Sequence, residues 1–369
     1  MFRDINNNNT SPITDIKVIL KISFIYISSI LGAGFATGHE LVTFFAIYNY
    51  FGVLTFLLSC MLIGVFASAV LYAITKINPI SYKSLLQTIF GINLGRIIYL
   101  LNIAFMFVLF SSMLSGGGNL LASILFEDHS INLSFLLLEH IGAIIFAIII
   151  AFILSIFNND LLNLNNVLCP IILLGAVFIG VLNISNGFSL ADVFNSSSLP
   201  SSFTNPILAF IIYSSYNLIT TIAILYSFSN YRLSNNIIKY SGFLSFILIF
   251  IAGVFLLVAL ISNIELVNHK ELPILYIISG SPILKALYEF ILLVAILTTA
   301  ISNGFAVLDI FYYKFKAPKY LLISVICSLG ACFSMIGFAN IVDVVYPIFG
   351  CLGVFQVVVI LLNFIFKNY

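Results

Sequence analysis

Three glycines, a histidine and a carboxylate stand within one short stretch near the start of the chain, Leu31-Gly32-Ala33-Gly34-Phe35-Ala36-Thr37-Gly38-His39-Glu40. The flanking residues are almost wholly apolar, and in that setting each glycine weakens a helix and a charge at membrane depth costs several kcal/mol. The run is therefore expected to interrupt a helix, and the interruption to hold a ligand. Glu40 then binds substrate, gates or carries a proton; the alternative is that it bonds the unwound backbone. His39 titrates near neutral pH or serves as a hydrogen-bonded packing residue.

Other polar groups lie in equally apolar surroundings. Tyr213-Ser214-Ser215-Tyr216-Asn217, followed by Thr220-Thr221, needs partners because unpaired hydroxyls and amides are costly in hydrocarbon. It either makes interhelical hydrogen bonds or forms a hinge lining a cavity. In Leu297-Thr298-Thr299-Ala300-Ile301-Ser302-Asn303 the paired hydroxyls are hard oxygen donors that suit Na⁺, or they bond back to their own helix. Ser115-Gly116-Gly117-Gly118-Asn119 is expected to permit close helix packing. Glu289 lies nine residues before Thr298, about 13 Å along a helix, too far to share its ion. It is expected at an outer vestibule or paired with Lys285. Asp309 and Asp343 fall near expected helix ends.

The elements that must position these groups are membrane helices. With 62% hydrophobic and 7% charged residues and a mean hydropathy of +1.20, the chain has too little polar surface to cover a soluble globule. A net charge of +1, scattered along the chain, offers no basic patch for nucleic acid. Cys60, Cys169, Cys327, Cys332 and Cys351 sit in apolar runs without ligand spacing and read as packing residues.

Ten apolar runs approach the roughly 20 residues that span a bilayer. They are Lys17 to Tyr48, Gly52 to Thr75, Leu94 to Phe126, His140 to Phe157, Asn165 to Leu182, Pro206 to Ser229, Ile237 to Ser262, Pro282 to Tyr313, Lys319 to Phe338 and Val342 to Phe366. Residues 1–14, with Asn6-Asn7-Asn8-Asn9, are expected to form a disordered cytoplasmic tail, a cleaved signal peptide being the alternative. With the N-terminus cytoplasmic, 12 of the 14 basic residues fall inside and only Lys270 and Lys285 outside. Both termini are then cytoplasmic in a multi-pass protein of the plasma membrane.

The third and eighth runs are both unusually long, and they are offset by almost the same length as the first and sixth. Residues 15–369 thus read as one transmembrane domain of two five-helix copies, 15–184 and 206–366, inverted because five is odd. An inverted repeat places a second break in the sixth helix, at Tyr213 to Asn217. The expected fold class is all-α, with about ten transmembrane helices and broken helices one and six.

The stretch from Gly32 to Glu40, with Phe44-Phe45 soon after, resembles the opening signature of the YkvI family of bacterial membrane proteins, in which Gly-Ala-Gly-Phe-Ala-Ser-Gly-Gln-Glu is typical. Thr37 stands for Ser and His39 for Gln. The resemblance covers essentially the whole chain. It implies the superfamily of amino acid, polyamine and organocation transporters and the LeuT fold, which the second break and inverted repeat suit. It further implies that Gly32, Ala33, Gly34, Phe35, Thr37, Gly38 and Glu40 face Tyr213, Ser214, Ser215, Tyr216 and Asn217 across a substrate site. Free N–H groups around Gly34 to Gly38 would receive a substrate carboxylate, and carbonyls around Ser28 to Leu31 would join Thr298 and Thr299 at a Na⁺ site.

Three function classes follow. A secondary transporter of a small amino acid or amine explains both polar breaks and the repeat, with Na⁺ as coupling ion and no other cofactor. No Lys or Arg occurs between Asn165 and Leu182, which favours Na⁺ or uncoupled exchange over a proton-coupled lysine. A sensor or assembly factor that keeps a transporter fold is the alternative. An enzyme is not expected: HExxH and GxSxG are absent and His39, His129, His140 and His269 are dispersed. No GxxxxGK[ST] for ATP-driven pumping occurs in the chain.

Overall fold

The computed structural model describes residues 12–125, 135–156, 161–185, 205–231, 233–268, 270–278 and 280–366. Most of the expected tail, the joining stretch 186–204, His129 and His269 lie outside the described residues.

Where glycine or a polar cap interrupts the apolar pattern, the helices stop. The first apolar run divides into α1 (Pro12–Ile30), α2 (Ala33–Thr37) and α3 (His39–Phe44). Then come α4 (Asn49–Ile77), α5 (Tyr82–Phe90), α6 (Ile92–Leu125), α7 (Phe135–Ile156) and α8 (Leu161–Ser185). The second half holds α9 (Pro206–Tyr226), α10 (Asn235–Ser262), the short α11 (Ile264–Val267) and α12 (Pro273–Ile277), and α13 (Pro282–Phe315). It closes with α14 (Lys319–Ser334), α15 (Phe338–Asn340), a π-helical turn at Ile341–Val345 and α16 (Tyr346–Phe366). No strand occurs among the described residues. Caps fix several starts: the Asn205 side chain accepts from Ile207 N–H with Pro206 at the first helical position, and Ser234 accepts from Ile237 N–H.

Among the described residues the ten expected apolar runs fall mostly on helix. Seven helical stretches among the described residues are long and apolar enough to cross a membrane, whereas α14 and the apolar part of α8, Leu168–Leu182, are shorter. The amphipathic α5 was not among the ten. Its signal was the Ser81-x-x-Ser84 pair, whose side chains and backbone N–H groups cap each other.

The sixth helix departs from expectation. α9 runs unbroken from Pro206 to Tyr226, through the polar cluster expected to unwind it. Three of its polar side chains bond back along their own helix: Asn217 donates to Tyr213 carbonyl at 3.1 Å, Thr220 to Asn217 carbonyl at 2.9 Å and Thr221 to Leu218 carbonyl at 2.7 Å. Hydroxyls and amides satisfied in this way need no unwound backbone, and α9 contains no glycine to favour one.

Close approaches are built at small residues. α4 and α10 meet where Gly64 faces Gly242, and a methyl group added to either would strike the other's carbonyl. In the same way Gly118 packs on the backbone of α7 and Gly117 on the Phe146 ring, so the glycine run of α6 does serve close packing, as expected. α1 is held in the bundle by Tyr26, which donates to Ile63 carbonyl at 2.9 Å, and by Ser23, which donates to Ser241 carbonyl at 3.1 Å.

Candidate functional site

The break lies where the glycines put it. α1 ends at Ile30, the chain bends through Leu31 and Gly32, and α2 is a single short turn of helix ending at Gly38. Gly38 has φ +86°, a left-handed conformation that a side chain resists, and it redirects the chain into α3. Tyr288 of α13 clamps the break by donating to Ala36 carbonyl at 2.6 Å. Gly116 of α6 comes up beside Ala33 and Phe338.

Glu40, in the first turn of α3, is 5% exposed and its Oε2 has no hydrogen-bond partner. Its carboxylate folds back over Gly34, so that a methyl group built there would land on it. Buried hydroxyls without partners also come from α9, at Tyr213 and Ser214, and the Tyr216 hydroxyl lies beside the Glu40 carboxylate and interacts with it. Tyr216 and Tyr213 lie within electrostatic reach of Glu40. Aromatic rings enclose the region: Phe44 is 5.6 Å from both tyrosines, Phe45 is 4.8 Å from Tyr213, and Tyr346 is 5.0 Å from Tyr216. The Tyr346 hydroxyl is satisfied by Ser112 at 2.6 Å. Leaving several buried polar atoms unpaired in one place is costly, and native proteins do so where a ligand or water completes the bonding.

The expected site residues thus divide. Gly34, Glu40, Tyr213 and Tyr216 come together, and Ser214 is buried on the same helix as the two tyrosines. Asn217 and Thr37 are buried but spend hydrogen bonds on their own segments, Thr37 donating to Gly34 carbonyl at 3.2 Å. Ser215 is buried against the backbone of Gly353 in α16.

At the expected cation position, Thr298 and Thr299 donate to Ala295 carbonyl at 2.9 and 3.0 Å, and Ser28 donates to Ile25 carbonyl at 2.9 Å. A hydroxyl that gives its proton to its own helix keeps two lone pairs on oxygen, so these bonds orient the oxygens without consuming their capacity to coordinate. Thr299 lies against Gly32, in contact with the bend at Leu31. Tyr288 shares that face of α13 with Leu292, Ala295 and Thr299 at alternating spacings of four and three, a pattern present in the sequence that would have marked it.

His39 bonds elsewhere than Glu40. Its Nε2 meets Asp343 Oδ1 at 3.1 Å, its Nδ1 lies 3.3 Å from Lys270 carbonyl, and Thr43 also donates to Asp343 at 3.1 Å. This bolt joins α3 to the π-helical turn and to the segment between α11 and α12, a partnership that sequence distance concealed. Replacing Asp343 with Ala leaves His39 and Thr43 without it and should lower stability by about 1–2 kcal/mol. A thermal midpoint equal to that of the parent protein would show the bolt to be idle.

Beyond the bolt is a cavity of about 420 Å³ lined by Asn119, Glu139, Lys270, Glu271, Lys285 and Glu289, among others. Lys285 and Glu289 approach to 3.9 Å, the pairing expected, and both line this cavity. Asn119 donates to Glu271 Oε2. Burial pushes the Glu271 carboxyl above its ordinary value, opposed by the nearby imidazole of His39.

No family model matches the chain. Among individual proteins, the membrane protein YkvI of Bacillus subtilis (strain 168) is 23% identical over 340 residues, 89% of this chain and 91% of that protein. Two solved structures superpose over most of the chain. MhsT in complex with L-phenylalanine gives a TM-score of 0.70 at 16% identity, covering 93% of this chain and 88% of that one. The inward-facing conformation of Mhp1 gives 0.68 at 14%, covering 91% and 73%. The fold of this multi-pass membrane protein is therefore the LeuT fold, and the likeness to YkvI read from the opening glycine run extends along nearly the whole chain.

Proposed function

We propose that the chain is a secondary transporter of a small solute, an amino acid or related amine, held between the broken first helix and α9. The observation that carries this reading is the buried Glu40, with an unpartnered oxygen, set in the break against the hydroxyls of Tyr213 and Tyr216. Fixed polar groups in a low-dielectric pocket, on a helix that is already discontinuous, are what a bound solute would complete. The LeuT fold shared with MhsT, solved in complex with L-phenylalanine, and with Mhp1, solved in an inward-facing conformation, supports this reading. The wide cavity beyond the bolt lies at the end that the charge bias puts outside and supplies an approach.

Alternating access would then rock one helical bundle against the other about the break, with the His39–Asp343 bolt closing the outer side. Na⁺ is the proposed coupling ion, held by Thr298 and Thr299 with backbone carbonyls of Ser28 and Leu31. Na⁺-dependent uptake by protein reconstituted in liposomes, together with a thermal-shift screen of amino acids and amines in Na⁺ or K⁺, tests the proposal. Absence of uptake of every stabilising solute overturns transport.

The ion has its own expected result. Changing Thr298 and Thr299 together to Val preserves volume but removes both hydroxyl oxygens, and the response to Na⁺ should weaken at least tenfold, about 1.4 kcal/mol. An unaltered Na⁺ response would assign the two threonines to helix packing, as their bonds to Ala295 carbonyl also permit.

A further inference from the structure

The carboxylate of Glu40 fills the space in front of Gly34, where a ligand's own carboxylate would have to approach the backbone. Glycine at that position leaves room for an anionic group, and the chain has supplied one itself. The group whose positive charge can reach Glu40, His39, is committed to Asp343 and Lys270 carbonyl. Among the described residues no ion pair neutralises Glu40.

A second carboxylate brought into this site would meet Glu40 in a low-dielectric pocket with no cation between them, an arrangement that like charges oppose. An ammonium group fits instead. It would donate to Glu40 Oε2, its remaining protons would find the hydroxyl oxygens of Tyr213 or Tyr216, and its charge would face the rings of Tyr213, Tyr216 and Phe44. The outer cavity has the same bias, with Glu139, Glu271 and Glu289 against Lys270 and Lys285.

We infer that the ligand of this site is an organic amine lacking a carboxylate, bound through its ammonium group to Glu40. The inference rests on the placement of the site proposed above and narrows its substrate class. A carboxylate-bearing amino acid would have to displace Glu40 from Gly34, whereas the amine uses Glu40 where it lies.

Matched compounds separate the charges. Thermal shifts of the full-length protein in detergent are compared for 2-phenylethylamine, phenylalanine and 2-phenylethanol, and for isoamylamine, leucine and isoamyl alcohol. Each amine should raise the midpoint with half-saturation at a concentration at least tenfold lower than its amino acid or its alcohol. In Glu40→Gln the half-saturating amine concentration should rise at least tenfold. An amino acid that stabilises as well as its amine, an alcohol equal to its amine, or silence from all six compounds overturns the inference. The comparison of amine with alcohol on the unaltered protein stands even if Glu40→Gln folds poorly. Liposome uptake separates this inference from the transport reading: amine binding without uptake keeps the ligand class and sinks transport, and uptake of the amino acids alone does the reverse.

Discussion

Gly34→Leu should abolish solute binding and uptake while the protein still inserts in the membrane. The first added carbon already falls on the Glu40 carboxylate, and Glu40 has little room to move because it is 5% exposed among Phe44, Tyr213 and Tyr216. Leu adds three more carbons, so the carboxylate must leave the site or the short turn of α2 must shift. Overpacking of this kind destabilises by about 1–3 kcal/mol, which a membrane bundle of this size can absorb. A double-mutant cycle identifies the cause. Gly34→Ala should be harmful alone and nearly neutral when Glu40 is also Ala, because the group it strikes has gone. Wild-type uptake by Gly34→Leu at wild-type expression would sink the broken-helix site.

How far the sequence disclosed this arrangement depends on the range of the interaction. The break could be read from Gly32, Gly34 and Gly38 because backbone conformation is local, and Gly38 does adopt the left-handed conformation that such a residue permits. Membrane spans could be read because hydropathy along one helix needs no partner. Polar clusters could be located, but not what they would do. In α9 Asn217, Thr220 and Thr221, part of the polar stretch that suggested an unwound hinge, bond to carbonyls three and four residues back within a whole helix, and nothing in composition separates those outcomes. The fold of Glu40 over Gly34 was equally hidden, although only six residues separate them, because it depends on the turn at Gly38.

Long-range pairs were beyond reach for a different reason. His39 and Asp343 are 304 residues apart, and each had a local explanation, one as a titrating residue after a glycine and the other as a carboxylate near a helix end. Their meeting follows from the fold bringing α3 against the π-helical turn. Tyr288 is intermediate: its spacing from Thr299 put both on one face of α13, but only the fold shows that this face meets the break, at Ala36 and Gly32.

Glu40→Gln should remove transport, by at least a hundredfold, without lowering the thermal midpoint of the protein. The two roles open to this side chain predict different stabilities. A carboxylate that caps unwound backbone contributes to folding, and its replacement would lose about 1–2 kcal/mol even with Gln keeping one acceptor. A carboxylate kept for a ligand does not contribute in this way, because a buried charge with an unpartnered oxygen opposes folding until the ligand arrives. Replacing it with a neutral amide of the same shape relieves that burden, so the ligand-free variant should melt at the parent's temperature or above it. The structure favours the second role, since Oε2 has no partner and no backbone N–H donates to it. Loss of uptake together with an unchanged or higher midpoint is therefore the expected pair of results. Near-normal uptake would return Glu40 to a structural role and leave the site to the backbone of α2 and the hydroxyls of α9. A midpoint lowered by several degrees together with lost uptake would show that the carboxylate holds the break in shape.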